Sequence, residues 1–270
     1  MNCSISVTML SVLALTCMLA LASGVPQSRI HYGTATNTGT YKFMAHLEAR
    51  QLLVLWSGIC GAVITDNRYV ITAAHCVEGR RNTDLRIVIN KGLSNEARVN
   101  VETITMHEGY GSSAFPGAYP NDVAVLRLAV NSVIGSGHPI SLAKPEDGDR
   151  SGQTCSIMGW GLTESGSASS VLLETDGKIL SSSQCAGYWS TNYNHNVHIC
   201  IDNKNSGACN GDSGGPMVCN NQLAGVTSWG MSGCNVTFPS VYTRISNYND
   251  WYASKTGALL AKQIPVPVLY

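Results

Sequence analysis

Apolar and β-branched positions gather along this chain in short runs. After residue 29 these are YVITAAH (Tyr69 to His75), RVNVETITM (Arg98 to Met106), DVAVLRL (Asp122 to Leu128), QLAGVTSW (Gln222 to Trp229) and SVYTRI (Ser240 to Ile245). Between them lie turn-forming stretches such as NTGT (Asn37 to Thr40), YGSSAFPGAYPN (Tyr110 to Asn121) and PEDGD (Pro145 to Asp149). Short strands alternating with Gly, Pro, Asn and Asp clusters predict an all-β, antiparallel sandwich or barrel. One helix is predicted, over NYNDWYASKTGALL, with Ser246 or Asn247 as its cap and Trp251 on its apolar face. The tail IPVPVLY ends it, because two prolines cannot continue a helix.

Composition narrows the class of function. The 270 residues suffice for one large all-β unit or two modest domains. Lys plus Arg equals Asp plus Glu, 17 each, so no basic field exists to attract nucleic acid, and no nucleic-acid partner is expected. An apolar stretch, Val7 to Ala22, is shorter than the ~20 residues of a membrane span and ends in small residues. It reads as a signal peptide over residues 1–24, removed near Gly24, with a retained N-terminal anchor as the competing reading. The mature chain is then secreted, with no membrane partner. Cys3 and Cys17 leave with the signal, and eight cysteines remain: Cys60, Cys76, Cys155, Cys185, Cys200, Cys209, Cys219 and Cys234. An even set in a secreted chain implies disulfides, although eight cysteines allow 105 connectivities. No C-x-x-C and no H-E-x-x-H occurs, so neither a metal site nor a cofactor is expected.

The stretch GACNGDSGGPMVC (Gly207 to Cys219) surrounds Ser213 with glycines. Glycine costs backbone entropy, so such a cluster implies a sharp turn and a close approach to the main chain, as an exposed nucleophile requires. G-x-S-x-G also fits the nucleophile elbow of α/β-hydrolases, whose histidine follows the serine. Here the last histidine, His198, precedes Ser213, and that reading fails. His75, in ITAAHC at a strand end, is the best candidate base; the other six histidines lie in polar or loop-like settings. Asp122, opening an apolar strand and half buried, is the candidate carboxylate to orient it.

TAAHC, NDVAVL and GDSGGP, in the order His, Asp, Ser, resemble the chymotrypsin-like serine peptidase family, as do GWG (Gly159 to Gly161) and SWG (Ser228 to Gly230). The likeness runs from about Ile30 to the C-terminal helix. It implies two six-stranded antiparallel β-barrels over residues 30–259, split near residue 140, with a C-terminal α-helix and the triad in the cleft between barrels. It implies the pairings Cys60 with Cys76, Cys155 with Cys219, Cys185 with Cys200, and Cys209 with Cys234. By the same resemblance, Gly211 and Ser213 supply the oxyanion hole and Ser228 supports Asp122. Protein or peptide substrates are expected, as are possible protein inhibitors and a monomeric state.

The resemblance also implies activation by a protease cutting after Arg29. The new amine of Ile30 would pair with Asp212, leaving residues 25–29 as a short propeptide and residues 260–270 as a tail without a role. The family's usual Ile-Val-Gly-Gly is here Ile30-His31-Tyr32-Gly33, and a family histidine near the first disulfide is here Gly58. The specificity pocket maps to Gly207 and Ala208 at the base, with Ser228, Trp229, Gly230 and Ser240 around it. With no aspartate at the base, the reading is cleavage after large apolar residues, with small residues as the runner-up and a non-enzymatic binding module as the rival class. Asn235-Val236-Thr237 is an N-glycosylation sequon in a surface loop.

Overall fold

The computed structural model describes residues 30–52, 54–111, 118–129 and 138–257. The expected signal peptide, the propeptide with Arg29, and the tail 260–270 lie outside the described residues. After a two-residue strand β1 (Thr34–Ala35), six strands follow: β2 (Met44–Arg50), β3 (Trp56–Ile64), β4 (Tyr69–Thr72), β5 (Leu85–Ile89), β6 (Ala97–Met106) and β7 (Ala124–Leu128). They close on themselves in the order β2-β3-β4-β7-β6-β5, with every pairing antiparallel. Along β6 the two-residue period is plain: Val99 and Val101 are buried while Arg98 and Asn100 face water.

The second barrel is built from β9 (Thr154–Gly159), β10 (Leu173–Ile179), β11 (His198–Asp202), β12 (Pro216–Cys219), β13 (Gln222–Trp229) and β14 (Ser240–Arg244). Its order is β10-β11-β14-β13-β12-β9, and β9 pairs back onto β10 to close it. β1 extends β10, and a short β8 (Ser141–Leu142) runs parallel to β13. The fold is therefore two closed six-stranded antiparallel barrels, as the family resemblance implies, and closure leaves no long strand edge among the described residues. Each barrel has its own core, one around Leu47, Ile71, Ile87 and Leu126, the other around Ile157, Ile201, Met217 and Tyr242. Four disulfides join Cys60 to Cys76, Cys155 to Cys219, Cys185 to Cys200 and Cys209 to Cys234.

The helices differ from expectation. A helix not predicted, α1 (Ser182–Trp189), starts at Ser181, whose hydroxyl accepts from the Gln184 N–H while the Gln184 side chain accepts from the Ser181 N–H. The C-terminal helix, α2 (Asn249–Thr256), begins two to three residues later than predicted and stops at Gly257, which holds φ +69°. Neither Ser246 nor Asn247 caps it, because residues 245–247 form a 3-10 turn of their own. Trp251 does pack against the first core from the apolar face, and Tyr252 beside it is the more deeply buried aromatic. Trp251 is partly buried, its indole N–H donating to Glu108 Oε2 at 2.8 Å.

Candidate active site

β4 ends in a 3-10 turn, Ala74–Cys76, that carries His75, and the Cys60–Cys76 disulfide ties this turn to β3. Asp122 precedes β7. His75 Nδ1 lies 2.7 Å from Asp122 Oδ2, and the backbone N–H of His75 donates to Oδ1 at 2.9 Å. From the second barrel the Ser228 hydroxyl donates to Oδ2 at 2.6 Å, and Thr243 Oγ1 donates to the Asp122 carbonyl at 2.7 Å. Asp122 is fully buried, deeper than the half-burial expected, and these donors offset the desolvation of its charge. With Asp122 accepting from Nδ1–H, the Nε2 lone pair is free to take a proton. Cys60, His75 and Cys76 bring possible metal-ligand atoms within 4.8 Å, but both sulfurs are spent in a disulfide and offer no thiolate.

Ser213 sits on the loop before β12, half buried. Of the glycines around it, Gly211 holds φ +96°, a conformation that a side chain would strain. Gly214 and Gly215 serve a purpose the sequence reading missed. A Cβ at Gly214 would strike Thr72 and the Gly61 carbonyl, and Gly61 itself lies against Gly215, so these glycines let the first barrel close onto the Ser213 loop. The Gly61 N–H donates to the Ser213 carbonyl at 2.8 Å across that seam.

Beside Ser213 opens a cavity of about 190 Å³. All six residues predicted for the pocket, Gly207, Ala208, Ser228, Trp229, Gly230 and Ser240, line it together with Ser213. Sequence reasoning missed Met231, Val236 and Phe238 in its wall. Val236 and Ser240 are the side chains nearest to Gly207. The only signal for them was their place between Trp229 and Ser240. No lining residue carries a charge.

The family model for Trypsin matches residues 30–252. Among similar proteins, a fibrinolytic enzyme, isozyme C, of Lumbricus rubellus is 34% identical, over 80% of this chain and 96% of that protein. A chymotrypsin-like serine proteinase of Haliotis rufescens is 32% identical (81% and 88%), and trypsin beta of Drosophila erecta 34% (83% and 87%). The chain belongs to the trypsin family. As a trypsin-family serine endopeptidase it acts on protein substrates through a mechanism general to the family, and the remaining geometry bears on how this member is tuned.

Asp212, next to the family's serine, is buried and accepts from Gly161 N at 2.8 Å and Cys209 N at 2.9 Å. Burial pushes its carboxyl up to about 6, and the two N–H donors pull the other way. A Cβ at Gly159 or Gly161 would run into this carboxylate, which explains both glycines of GWG. Ile30 is buried in the second barrel's core, and the carbonyl of His31 accepts from Gly207 N at 3.1 Å, so the first described residues brace the pocket base. Gly58 also has a local reason: a Cβ there would overlap the ring of His46, which reaches across from β2. His46 and His198 are buried on strands, contrary to the loop-like settings expected of them.

Proposed function

We propose that this enzyme is a secreted endopeptidase that cleaves after large apolar residues, using Ser213 as nucleophile, His75 as base and Asp122 as its orienter. Ser213 Oγ attacks the scissile carbonyl as its proton passes to His75 Nε2. His75 then protonates the leaving amine, and water, activated in the same way, hydrolyses the acyl-enzyme. The N–H groups of Gly211 and Ser213 receive the oxyanion, and losing one such donor costs ~3 kcal/mol of transition-state stabilisation. The 2.7 Å His75–Asp122 contact and the buried Ser228 and Thr243 donors support these roles.

The observation that carries the specificity is the uncharged cavity beside Ser213. A Lys or Arg side chain buried there would need a carboxylate to offset its desolvation, and the lining has none. An apolar side chain gains roughly 1.5 to 3 kcal/mol by entering. The second reading, cleavage after small residues, is supported by the Ser240 hydroxyl, which lies beside Gly207 in the lining.

Activation is proposed to follow a cut after Arg29. Ile30 holds φ +53°, which strains a β-branched residue, and cutting the bond before it abolishes that torsion and frees an amine. Secretion is supported by the four disulfides and the apolar leader. The test combines organophosphate labelling with a peptide panel differing only at the residue before the cut. Ser213 should be labelled, Ser213→Ala should lose turnover while still being secreted, and Tyr, Phe, Trp, Leu or Met should be preferred. Preference for Arg or Lys overturns the specificity; preference for Ala or Val selects the second reading; an unlabelled protein is a binding module.

A further inference from the structure

His198 opens β11 in the second barrel and is 3% exposed. Its Nδ1 accepts the Asn194 backbone N–H at 3.1 Å, and its Nε2 lies 3.1 Å from the Tyr119 carbonyl. A neutral imidazole has one N–H, so these two contacts assign it to Nε2, donating to Tyr119. The Trp229 indole N–H, 3.5 Å from the same Nε2, is then a packing contact, since two donors cannot share that nitrogen. Trp229 and Tyr193 enclose the ring, with centroids 5.4 and 6.0 Å away.

Directly opposite His198 in the β11–β14 pairing is Thr243, the residue that donates to the Asp122 carbonyl. Two neighbouring side chains on one sheet thus hold the carbonyls at both ends of the segment Tyr119 to Asp122. The Tyr119 ring in turn stacks on the His75 imidazole, with centroids 5.6 Å apart and planes 26° apart. The residues that position the reacting histidine, Tyr119 over its face and Asp122 at its Nδ1, are therefore anchored to the second barrel by a matched pair of donors.

We propose that His198 is a positioning residue: as the Nε2–H tautomer, it fixes the Tyr119–Asp122 segment, and through it His75, relative to the Ser213 barrel. The inference rests on the triad reading above. Losing one neutral hydrogen bond from this bracket should lower kcat about fivefold.

The test compares activated wild type, His198→Met and His198→Gln on a single-residue ester substrate, with kcat normalised to organophosphate-labelled sites. His198→Met keeps bulk but has no donor, and should lose kcat with KM changed less than about twofold. The Gln amide can donate to Tyr119 and accept from Asn194, and should restore most of the loss. Equal kcat for Met and wild type, or equal loss for Met and Gln, overturns the inference. Nitrogen NMR of the wild type reads the tautomer directly, and protonation at Nδ1 would overturn it whether or not a variant folds. Failure of wild type to label at Ser213 would instead sink the triad reading.

Discussion

Asp212 shows how much a single residue asks of its surroundings. Its carboxylate fits only because Gly159 and Gly161 lack side chains, and in the uncleaved chain it receives two backbone N–H groups and no cation among the described residues. Burial raises its folded pKa to about 6 from an ordinary 3.8, so the folded precursor holds this proton more tightly than the unfolded chain does. Precursor stability carried by this group is present below pH 4 and falls as pH rises towards 6, by roughly 3 kcal/mol. The Ser213→Ala precursor should therefore lose thermal stability between pH 4.5 and 6.5 relative to the Ser213→Ala/Asp212→Asn double variant. Identical pH profiles for the two would refute this.

Among the elements, β2 and β3 are matched by an unusual exchange of bulk. His46 on β2 sends its ring over Gly58 on β3, accepts from Lys91 Nζ at 3.0 Å, and packs on Trp160 at 5.3 Å between centroids. Burial first, and then the Lys91 charge, lower its pKa to about 3. The unfolded histidine protonates near 6.5, so stability tied to neutral His46 is complete above that pH and is lost progressively as pH falls to 3. His46→Gln should lose less stability to acid between pH 7 and 4 than wild type does, read as urea midpoints; an equal loss would count against it. The same scale explains the helix that was not predicted. α1 is short and buries only Cys185, so its apolar period is weak, and its one legible signal was the Ser181–Gln184 capping box. At the start of α2, the Asn249 side chain is engaged by the carbonyls of Ala143, Ile245 and Ser246, which moves the boundary late.

For the whole molecule, the seam between barrels is where function concentrates. Gly61 and Thr72 press on the Ser213 loop, Ser228 and Thr243 reach Asp122, and His198 reaches Tyr119, all from one barrel to the other. The proposed cut after Arg29 would act within the second barrel, where Ile30 lies in the core and the His31 carbonyl braces Gly207. Active enzyme should begin at Ile30. N-terminal sequencing that finds Val25, or any other residue, would exclude the proposed activation.

The strand runs, the glycine-rich turn around Ser213 and the order of the three motifs were legible in the sequence because each is a local demand. A strand needs alternating burial, and an exposed nucleophile needs a backbone that turns. What the sequence could not contain was distance. Ser228 stands 106 residues from the carboxylate it supports, and His198 stands 79 residues from the carbonyl it holds, so nothing local to either records the partner. Gly58, an unexplained departure in the sequence, became intelligible only once β2 delivered His46 against it. The closing of two barrels against each other decided those contacts, because only packing across the seam brings side chains from distant strands within hydrogen-bond reach.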